Sequence, residues 1–144
     1  MPNHNYKTKN FRIEELVTPK TYYKVGEYAF KLFDEVALQS LDKLRDDYGK
    51  ALKVNDWVRG GRYSESGLRD LHTSTGASRS SHKFGYAFDL KHYDESDIKP
   101  LQDFIKKHGA TYGIKRVENF SHTPSWCHIE FTREFVEEIY FFNP

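Results

Sequence analysis

The sequence has only one cysteine among its 144 residues, Cys127, which excludes a disulfide within the chain and a zinc site built from several cysteines. If this protein binds a metal, histidines and carboxylates must hold it. The chain also lacks any run of about eighteen apolar residues, and Met1 to Asn10 are polar with no hydrophobic signal core. We therefore expect no membrane-spanning helix and no cleaved signal peptide, and we predict a protein that is synthesised in the cytoplasm.

An excess of charge of one sign is also missing, because 22 Lys and Arg balance 21 Asp and Glu for a formal net charge of +1. This balance gives no general electrostatic reason to expect nucleic acid or an anionic membrane as a partner. Aromatic residues are abundant instead, with 11 Phe, 10 Tyr and 2 Trp, and large rings can build a dense core from few residues. The length fits one domain over residues 1–144, with residues 1–10 as a polar leader, and we expect a monomer.

Hydrophobic periodicity and turn residues predict an α+β fold with a small, mostly antiparallel sheet and flanking helices. Helices are expected from about Glu27 to Gly49, over Ser96–His108 and over Thr132–Phe142, with one docked turn within Phe11–Val17. Strands are expected over Ala51–Val58, Tyr86–Leu90, Ile114–Glu118 and Trp126–Phe131. The last two strands are close enough in sequence to form a hairpin.

The segment 62–81 contains many Ser, Gly, Thr and Arg residues and few large apolar ones. A loop of this length inside a compact domain is more often functional than accidental. We interpret it as the rim of a site.

The residues directly after this loop offer ligands for a metal ion. His82 and Asp89 are seven positions apart, which suits a loop that delivers the imidazole and a following strand that delivers the carboxylate. The Gly and Ala residues between them are small, as expected where backbone or substrate approaches closely. His128, in the distant Trp126-Cys127-His128 segment, offers a second imidazole. Two imidazoles and a carboxylate leave one coordination position for water, as in catalytic zinc sites, and this suggests hydrolysis.

The complete string Ser80-x-His82-x-x-Gly85-x-Ala87-x-Asp89 resembles the SxHxxGxAxD signature of the M15 zinc peptidases. That family contains D-Ala-D-Ala carboxypeptidases and phage L-alanyl-D-glutamate endopeptidases, and its core is related to the hedgehog signalling domain. Residues 126–128 are similar to the family's later W-x-H segment, and Ser66-Gly67-Leu68-Arg69 is similar to its SGYR segment. The three pieces occur in the family's order between about residues 54 and 131.

The resemblance implies a hedgehog-like fold, Zn²⁺ as the cofactor, and His82, Asp89 and His128 as its ligands. It also implies that Arg69 binds the substrate's carboxylate or polarised carbonyl. A planar guanidinium that pairs bidentately with a carboxylate suits this role. Arg59 and Arg62 remain alternatives to Arg69.

The general base is where this sequence departs from the family pattern. Several members have a Glu three residues before the last His, but this chain has Ser125 there. Another branch places the Glu at the end of the preceding strand, which is the position of Glu118. A carboxylate there could accept a proton from water and deliver it to the leaving amine. His122 and Glu130 remain alternative bases, and Glu130 is also expected to hold a ligand imidazole.

The resemblance thus implies a zinc metallopeptidase that hydrolyses an amide bond in peptidoglycan stem peptides, as a D,D-carboxypeptidase or an L-alanyl-D-glutamate endopeptidase. Its small size is similar to that of a phage or prophage lytic protein, an endolysin, which acts on the cell wall after release or as part of a phage particle. The alternative is a non-catalytic zinc-containing domain that binds the cell wall or a protein. A metal-dependent nuclease fits less well, because there is neither a basic patch nor an additional acidic cluster.

Overall fold

The computed structural model describes residues 3–70, 73 and 81–144. In these ranges the chain forms three α-helices and five strands. The helices are α1 (Pro19–Val25), α2 (Glu35–Tyr48) and α3 (Lys99–His108), and the strands are β1 (Leu52–Lys53), β2 (Ala87–His92), β3 (Ile114–Glu118), β4 (Cys127–Phe131) and β5 (Tyr140–Phe142). No helix among the described residues is both long enough and apolar enough to cross a bilayer.

The five strands form one sheet in the order β1-β2-β4-β3-β5. Neighbouring strands are antiparallel except β3 and β5, which are parallel. The predicted α+β class with a mostly antiparallel sheet is therefore confirmed. The predicted antiparallel neighbours β3 and β4 are confirmed as well, and their strands begin and end within one residue of the expected positions.

The sheet has one apolar face, because successive side chains of a strand point to opposite sides. Phe88 and Leu90 of β2, Cys127 and Ile129 of β4, and Val117 of β3 share this face and are fully buried. They belong to the same core as the buried leucines of α2 and α3, and α2 contacts β4. The apolar face therefore stabilises the fold and leaves the opposite face for polar side chains.

The opposite face carries charged and imidazole side chains, among them Asp89, His128, Glu130 and Arg116. Two segments outside the sheet cover part of it. Residues 66–69 run along the edge of β2 beyond the short β1, where the backbone N–H of Asp89 donates to the carbonyl of Ser66 over 2.8 Å. A 3₁₀ helix over Ser81–Phe84 is tied to this segment, since the N–H of Arg69 donates to the carbonyl of His82 over 3.1 Å.

Helix α2 begins later than the sequence pattern predicts. Residues Gly26–Leu32 form a separate 3₁₀ helix and Phe33 is extended. Asp34 then caps α2, because its carboxylate accepts hydrogen bonds from the N–H groups of the second and third helical residues. The predicted continuous helix from Glu27 is therefore wrong before Asp34, whereas its end is confirmed by Gly49, which has a left-handed backbone with φ of 79°.

The strand predicted over Ala51–Val58 is wrong beyond its first residues, because β1 covers only Leu52–Lys53. The N–H of Asn55 donates to the carbonyl of Glu15 over 2.8 Å, so the chain leaves the sheet at this point. Residues Trp57–Arg59 then form a 3₁₀ helix.

Helix α1 was not predicted, although its sequence carries a start signal. The expected single turn is present as a 3₁₀ helix over Ile13–Glu15. Thr18 follows it and caps α1 by accepting a hydrogen bond from the N–H of Thr21, and Pro19 occupies the first helical position. Thr-Pro therefore begins a helix here rather than only ending the preceding turn.

The C-terminal segment is not the helix predicted over Thr132–Phe142. It ends in strand β5, which pairs in parallel with β3. Two ring contacts accompany this pairing: Phe141 lies 5.7 Å from the ring of Phe120, and Phe142 lies 5.7 Å from the ring of His128. The strand thus brings aromatic side chains to β3 and β4, which a helix capped by Thr132 would not have done.

Candidate metal centre

Strands β2 and β4 place Asp89 and His128 side by side. The two residues are registered opposite each other, so their side chains lie on the same face of the sheet. The N–H of Asp89 points to Ser66, away from β4, which makes this a non-hydrogen-bonded pair of the ladder. Side chains approach each other most closely in such pairs. As a result Asp89 Oδ1 lies 2.9 Å from His128 Nδ1.

His82 reaches the same point from the 3₁₀ helix that precedes β2. Gly85 makes the turn into the strand with φ of 77°, and an added Cβ there would lie 2.6 Å from the carbonyl oxygen of Leu32. The Nδ1 of His82 donates to the carbonyl of Gly67 over 3.0 Å, which leaves Nε2 as the ring's acceptor atom. That Nε2 lies 3.2 Å from Asp89 Oδ1 and 3.0 Å from His128 Nδ1.

The three donor atoms therefore form a triangle with sides of 2.9, 3.0 and 3.2 Å. A tetrahedral ion with ligand bonds of about 2.0–2.1 Å separates its ligand atoms by about 3.3 Å, close to the sides of this triangle. His82, Asp89 and His128 also form a group of possible metal ligands whose donor atoms all lie within 4.8 Å of one another. The residues present thus fit one small divalent ion, and the three sequence-predicted ligands are brought together.

Burial and mutual contact shift the titration of the acidic and imidazole groups in the centre. Burial alone would raise the pKa of Asp89, but His82 and His128 hold it well below its ordinary value. Burial would likewise lower the pKa of His128, but hydrogen bonds to Asp89 and Glu130 outweigh burial and raise it to about 9. In the absence of metal, a proton on His128 Nδ1 therefore neutralises Asp89. A metal ion must displace this proton to bind.

Glu130 orients the imidazole of His128. Its Oε2 accepts a hydrogen bond from His128 Nε2 over 2.9 Å, so the other ring nitrogen, Nδ1, faces Asp89. Ser81 Oγ donates to the same carboxylate over 3.0 Å and Arg116 donates to it over 3.1 Å. Burial alone would raise the pKa of Glu130, but contacts with His128 and Arg116 outweigh burial, and the pKa lies below its ordinary value. Glu130 therefore makes the contact expected of a residue that holds a ligand imidazole.

Arg69 lies beside the carboxylate of Asp89 at the mouth of a cleft. Its guanidinium nitrogen is 3.5 Å from Asp89 Oδ2, and its Nε donates to the carbonyl of Glu65 over 2.7 Å. The cleft has a volume of about 310 Å³, and its walls include Arg69, Asp89 and Trp126. A molecule bound in this cleft would contact Arg69 next to the three possible metal ligands. Arg62 also lines the cleft at its exposed rim, whereas Arg59 forms an ion pair with Glu15.

Two of the candidate bases lie on strands at His128: Glu130 contacts its ring directly, and Glu118 lies on the neighbouring strand β3. Val117 is registered with Ile129, so one further step of this register places Glu118 opposite His128 and on the same face. His122 is exposed on the loop between β3 and β4, where its N–H donates to the carbonyl of Asn119. Of the motif residues, Ser80 lies outside the described residues.

Several residues at the site were not singled out from the sequence. Lys91 lines the cleft, Arg116 and Ser81 bind Glu130, and Phe142 packs against the ring of His128. Strand alternation contains a signal for some of them, because Lys91 is two residues from Asp89 and Arg116 is two residues from Glu118. No local signal identifies Phe142, since its approach depends on the parallel pairing of β5 with β3.

Comparisons of this chain with protein-family models, curated proteins and solved structures found no match.

Proposed function

We propose that this protein is a zinc-dependent peptidase of the M15 type that hydrolyses an amide bond in peptidoglycan stem peptides, in the role of a phage or prophage lytic protein. The observation that carries the proposal is the triangle of donor atoms from His82, Asp89 and His128. These are the residues to which the SxHxxGxAxD and W-x-H strings assign metal binding. They come from three separate chain positions and meet at distances that suit one ion.

The proposed ligand atoms are His82 Nε2, an oxygen of Asp89 and His128 Nδ1. When bound, the ion supplies a Lewis acid and lowers the pKa of a water molecule toward about 7. Both imidazoles are fixed on their far side by protein acceptors, Gly67 for His82 and Glu130 for His128. This fixes the tautomers in which the two remaining nitrogens present lone pairs to the centre.

Glu118 is the residue that we propose as general base. Its position opposite His128 puts a carboxylate on the strand next to two of the proposed ligands, and the Glu118 side chain is only partly exposed. In this role a carboxylate oxygen of Glu118 takes a proton from water and passes it to the nitrogen of the leaving amine. Glu130 is less suited to the role, because its carboxylate already accepts hydrogen bonds from His128, Ser81 and Arg116.

Arg69 is the proposed substrate clamp. It lines the cleft beside Asp89, and its guanidinium can hold a carboxylate or a polarised carbonyl of the peptide. The cleft of about 310 Å³ is large enough for a short peptide segment and not for a folded chain. Short, acidic stem peptides fit these dimensions and charges.

The test is digestion of purified peptidoglycan with zinc-loaded protein, followed by mass spectrometry of the released pieces. Release of single D-alanine identifies a D,D-carboxypeptidase, and release of peptides that begin at D-glutamate, with L-alanine left on the glycan, identifies cleavage between L-alanine and D-glutamate. His82→Ala is the matched control, which should lose both metal and cleavage. If the zinc-loaded protein releases no fragment from several chemotypes of peptidoglycan, the peptidase proposal is wrong and the non-catalytic binding domain becomes the better reading.

A further inference from the structure

Lys91 is a buried lysine next to the proposed metal centre, and the proposed function assigns it no role. It lies on the polar face of β2, two residues from Asp89, and its residue is only 4% exposed. Continuing the β2–β4 register by one step places it opposite Trp126, and both residues line the cleft that Arg69 borders.

Among the described residues, the ammonium group of Lys91 has only uncharged partners at hydrogen-bond distance. Its Nζ donates to Ser66 Oγ over 3.0 Å and to the backbone carbonyl of Asp89 over 3.2 Å, and it lies 4.2 Å from the centre of the Tyr63 ring. No carboxylate of the described residues forms an ion pair with it, and the remaining residues of the chain include no Asp or Glu.

The carboxylates that act on Lys91 from further away are committed to other cations. Asp89 is shared by Arg69, His82 and His128, and in the proposed function it also binds the metal. Asp56 pairs with Lys53 over 2.9 Å, and Glu95 pairs with the same Lys53 over 3.3 Å. A buried charge without a counter-charge is costly, and Lys91 lies in the wall of an open cleft, where a ligand can supply the counter-charge.

We propose that Lys91 and Ser66 form an anion subsite that binds a carboxylate of the substrate. Ser66 Oγ accepts a hydrogen bond from Lys91, which leaves its own hydroxyl hydrogen available as a second donor toward an anion. The subsite is separate from Arg69, although both border the same cleft. Tyr63 forms its wall, and Arg62, whose guanidinium lies 4.9 Å from the Tyr63 ring, adds positive charge at the rim.

This inference rests on the proposed peptidase function and narrows its substrate class. Both candidate bonds join an acyl group to a residue that keeps a free α-carboxylate: the terminal D-alanine in one case and γ-linked D-glutamate in the other. By binding this carboxylate beside the metal centre, Lys91 would therefore recognise the substrate residue that supplies the leaving amine. Stem peptides in which this carboxylate is amidated should bind poorly.

The test measures binding by zinc-loaded, full-length protein, with the fluorescence of Trp126 in the cleft as the readout. The probes are N-acetyl-D-alanyl-D-alanine and N-acetyl-L-alanyl-D-glutamic acid, each compared with its α-carboxamide. The wild type should bind at least one acid about tenfold or more tightly than its amide, as a hydrogen bond to a charged group is worth at least that factor. Lys91→Met should abolish this preference while its zinc content stays at the wild-type value.

Lys115→Met is the matched control, because Lys115 is another strand lysine stacked on a tyrosine ring, 5.2 Å from the centre of Tyr86, and it does not line the cleft. This variant should keep the acid-over-amide preference. Equal binding of acid and amide by the wild type, or a preference that survives in Lys91→Met, overturns the anion subsite. Acid preference in a protein that cuts no peptidoglycan would support the subsite and reject the peptidase, so the two failures are distinguishable.

Discussion

At the scale of single residues, the site depends on which nitrogen of each imidazole is hydrogen-bonded to the protein and which one faces the candidate metal centre. His82 donates from Nδ1 to a backbone carbonyl, and His128 donates from Nε2 to the Glu130 carboxylate. The first partner is neutral and fixed by the backbone, and the second is a charged side chain that Arg116 and Ser81 hold in turn. The two candidate ligand imidazoles therefore differ in how much a single substitution can change their orientation.

Glu130→Gln should weaken metal binding about 10- to 100-fold, because it removes the charge that orients His128 and raises its basicity. The fold should survive, since glutamine keeps the shape and one acceptor oxygen. A competition titration with a metal chelator measures the change. Glu138→Gln, at an exposed position, is the control and should bind metal like the wild type. Unchanged affinity in Glu130→Gln would show that the hydrogen bond to His128 does not tune the ligand.

Glu118→Gln should keep its metal and lose cleavage of peptidoglycan by a factor of about 10²–10⁴, the usual contribution of a general base. Metal content and the rate of fragment release are the two measurements. Glu137→Gln provides the matched control, because Glu137 lines a different surface cleft, between α2 and the segment after β4. Wild-type turnover in Glu118→Gln would transfer the role to another group, and His122→Ala would then be the next variant to assay.

At the scale of elements, the alternation of side chains along the strands gives the sheet one face that packs in the core and one face that carries the candidate metal centre. Residues at alternate positions of β2 and β4 build the core, and the residues between them build the metal centre. The terminal strand β5 contributes to the polar face of the sheet. The ring of its Phe142 packs against the ring of His128, and the guanidinium of Arg116 is stacked over the Phe142 ring at 4.2 Å. The edge strand therefore supports the ligand strand from the far side of β3.

Phe142→Ala should lower the free energy of unfolding by about 1–2 kcal/mol, less than a fully buried Phe because the side chain is only partly buried. The ring it removes packs against His128 and Arg116, so metal affinity should fall as well. Urea unfolding and metal titration measure the two effects. Phe135→Ala removes a ring that is 92% exposed and should change neither value. Equal destabilisation by the two variants would contradict the supporting role of β5.

At the scale of the whole molecule, a bound metal would join segments that are far apart in the chain. The ligands at positions 82, 89 and 128 come from a 3₁₀ helix and two strands, and Gly67 ties the loop before them to the same centre. Metal that binds the folded chain and not the unfolded one raises the stability of the whole domain. The same centre makes that stability dependent on pH.

In the metal-free protein the pKa of His128 is raised from 6.5 to about 9, so its protonation stabilises the fold below about pH 6.5 and this stabilisation is lost as the pH rises through about 9. Asp89 and Glu130 have lowered pKa values, so their contribution is present above their ordinary pKa values and is lost on acidification. Zinc competes with the proton on His128. The increase in melting temperature caused by zinc should therefore grow between about pH 6 and pH 9.

Thermal unfolding with zinc or with a chelator, repeated across this pH range, measures that increase. His122→Ala removes an exposed histidine and should show the same pH dependence as the wild type. His82→Ala should show no zinc-dependent increase at any pH. A zinc effect that does not vary with pH would contradict the proton competition at His128.

Patterns in the sequence predict the α+β class, helix α3, strands β3 and β4 to within a few residues, and the three residues that meet at the candidate metal centre. Hydrophobic periodicity, helix caps and the motif strings are local patterns, which can be recognised without knowing which distant residues they contact in the fold. The tertiary structure was needed to show that α2 begins only at Glu35, that β5 replaces a C-terminal helix, and that Glu118 lies opposite His128 while Lys91 lines the cleft. Strand register and parallel pairing join residues distant in sequence. The burial of Lys91, which has no carboxylate in ion-pair contact within the described part of the chain, exists only after those strands pair.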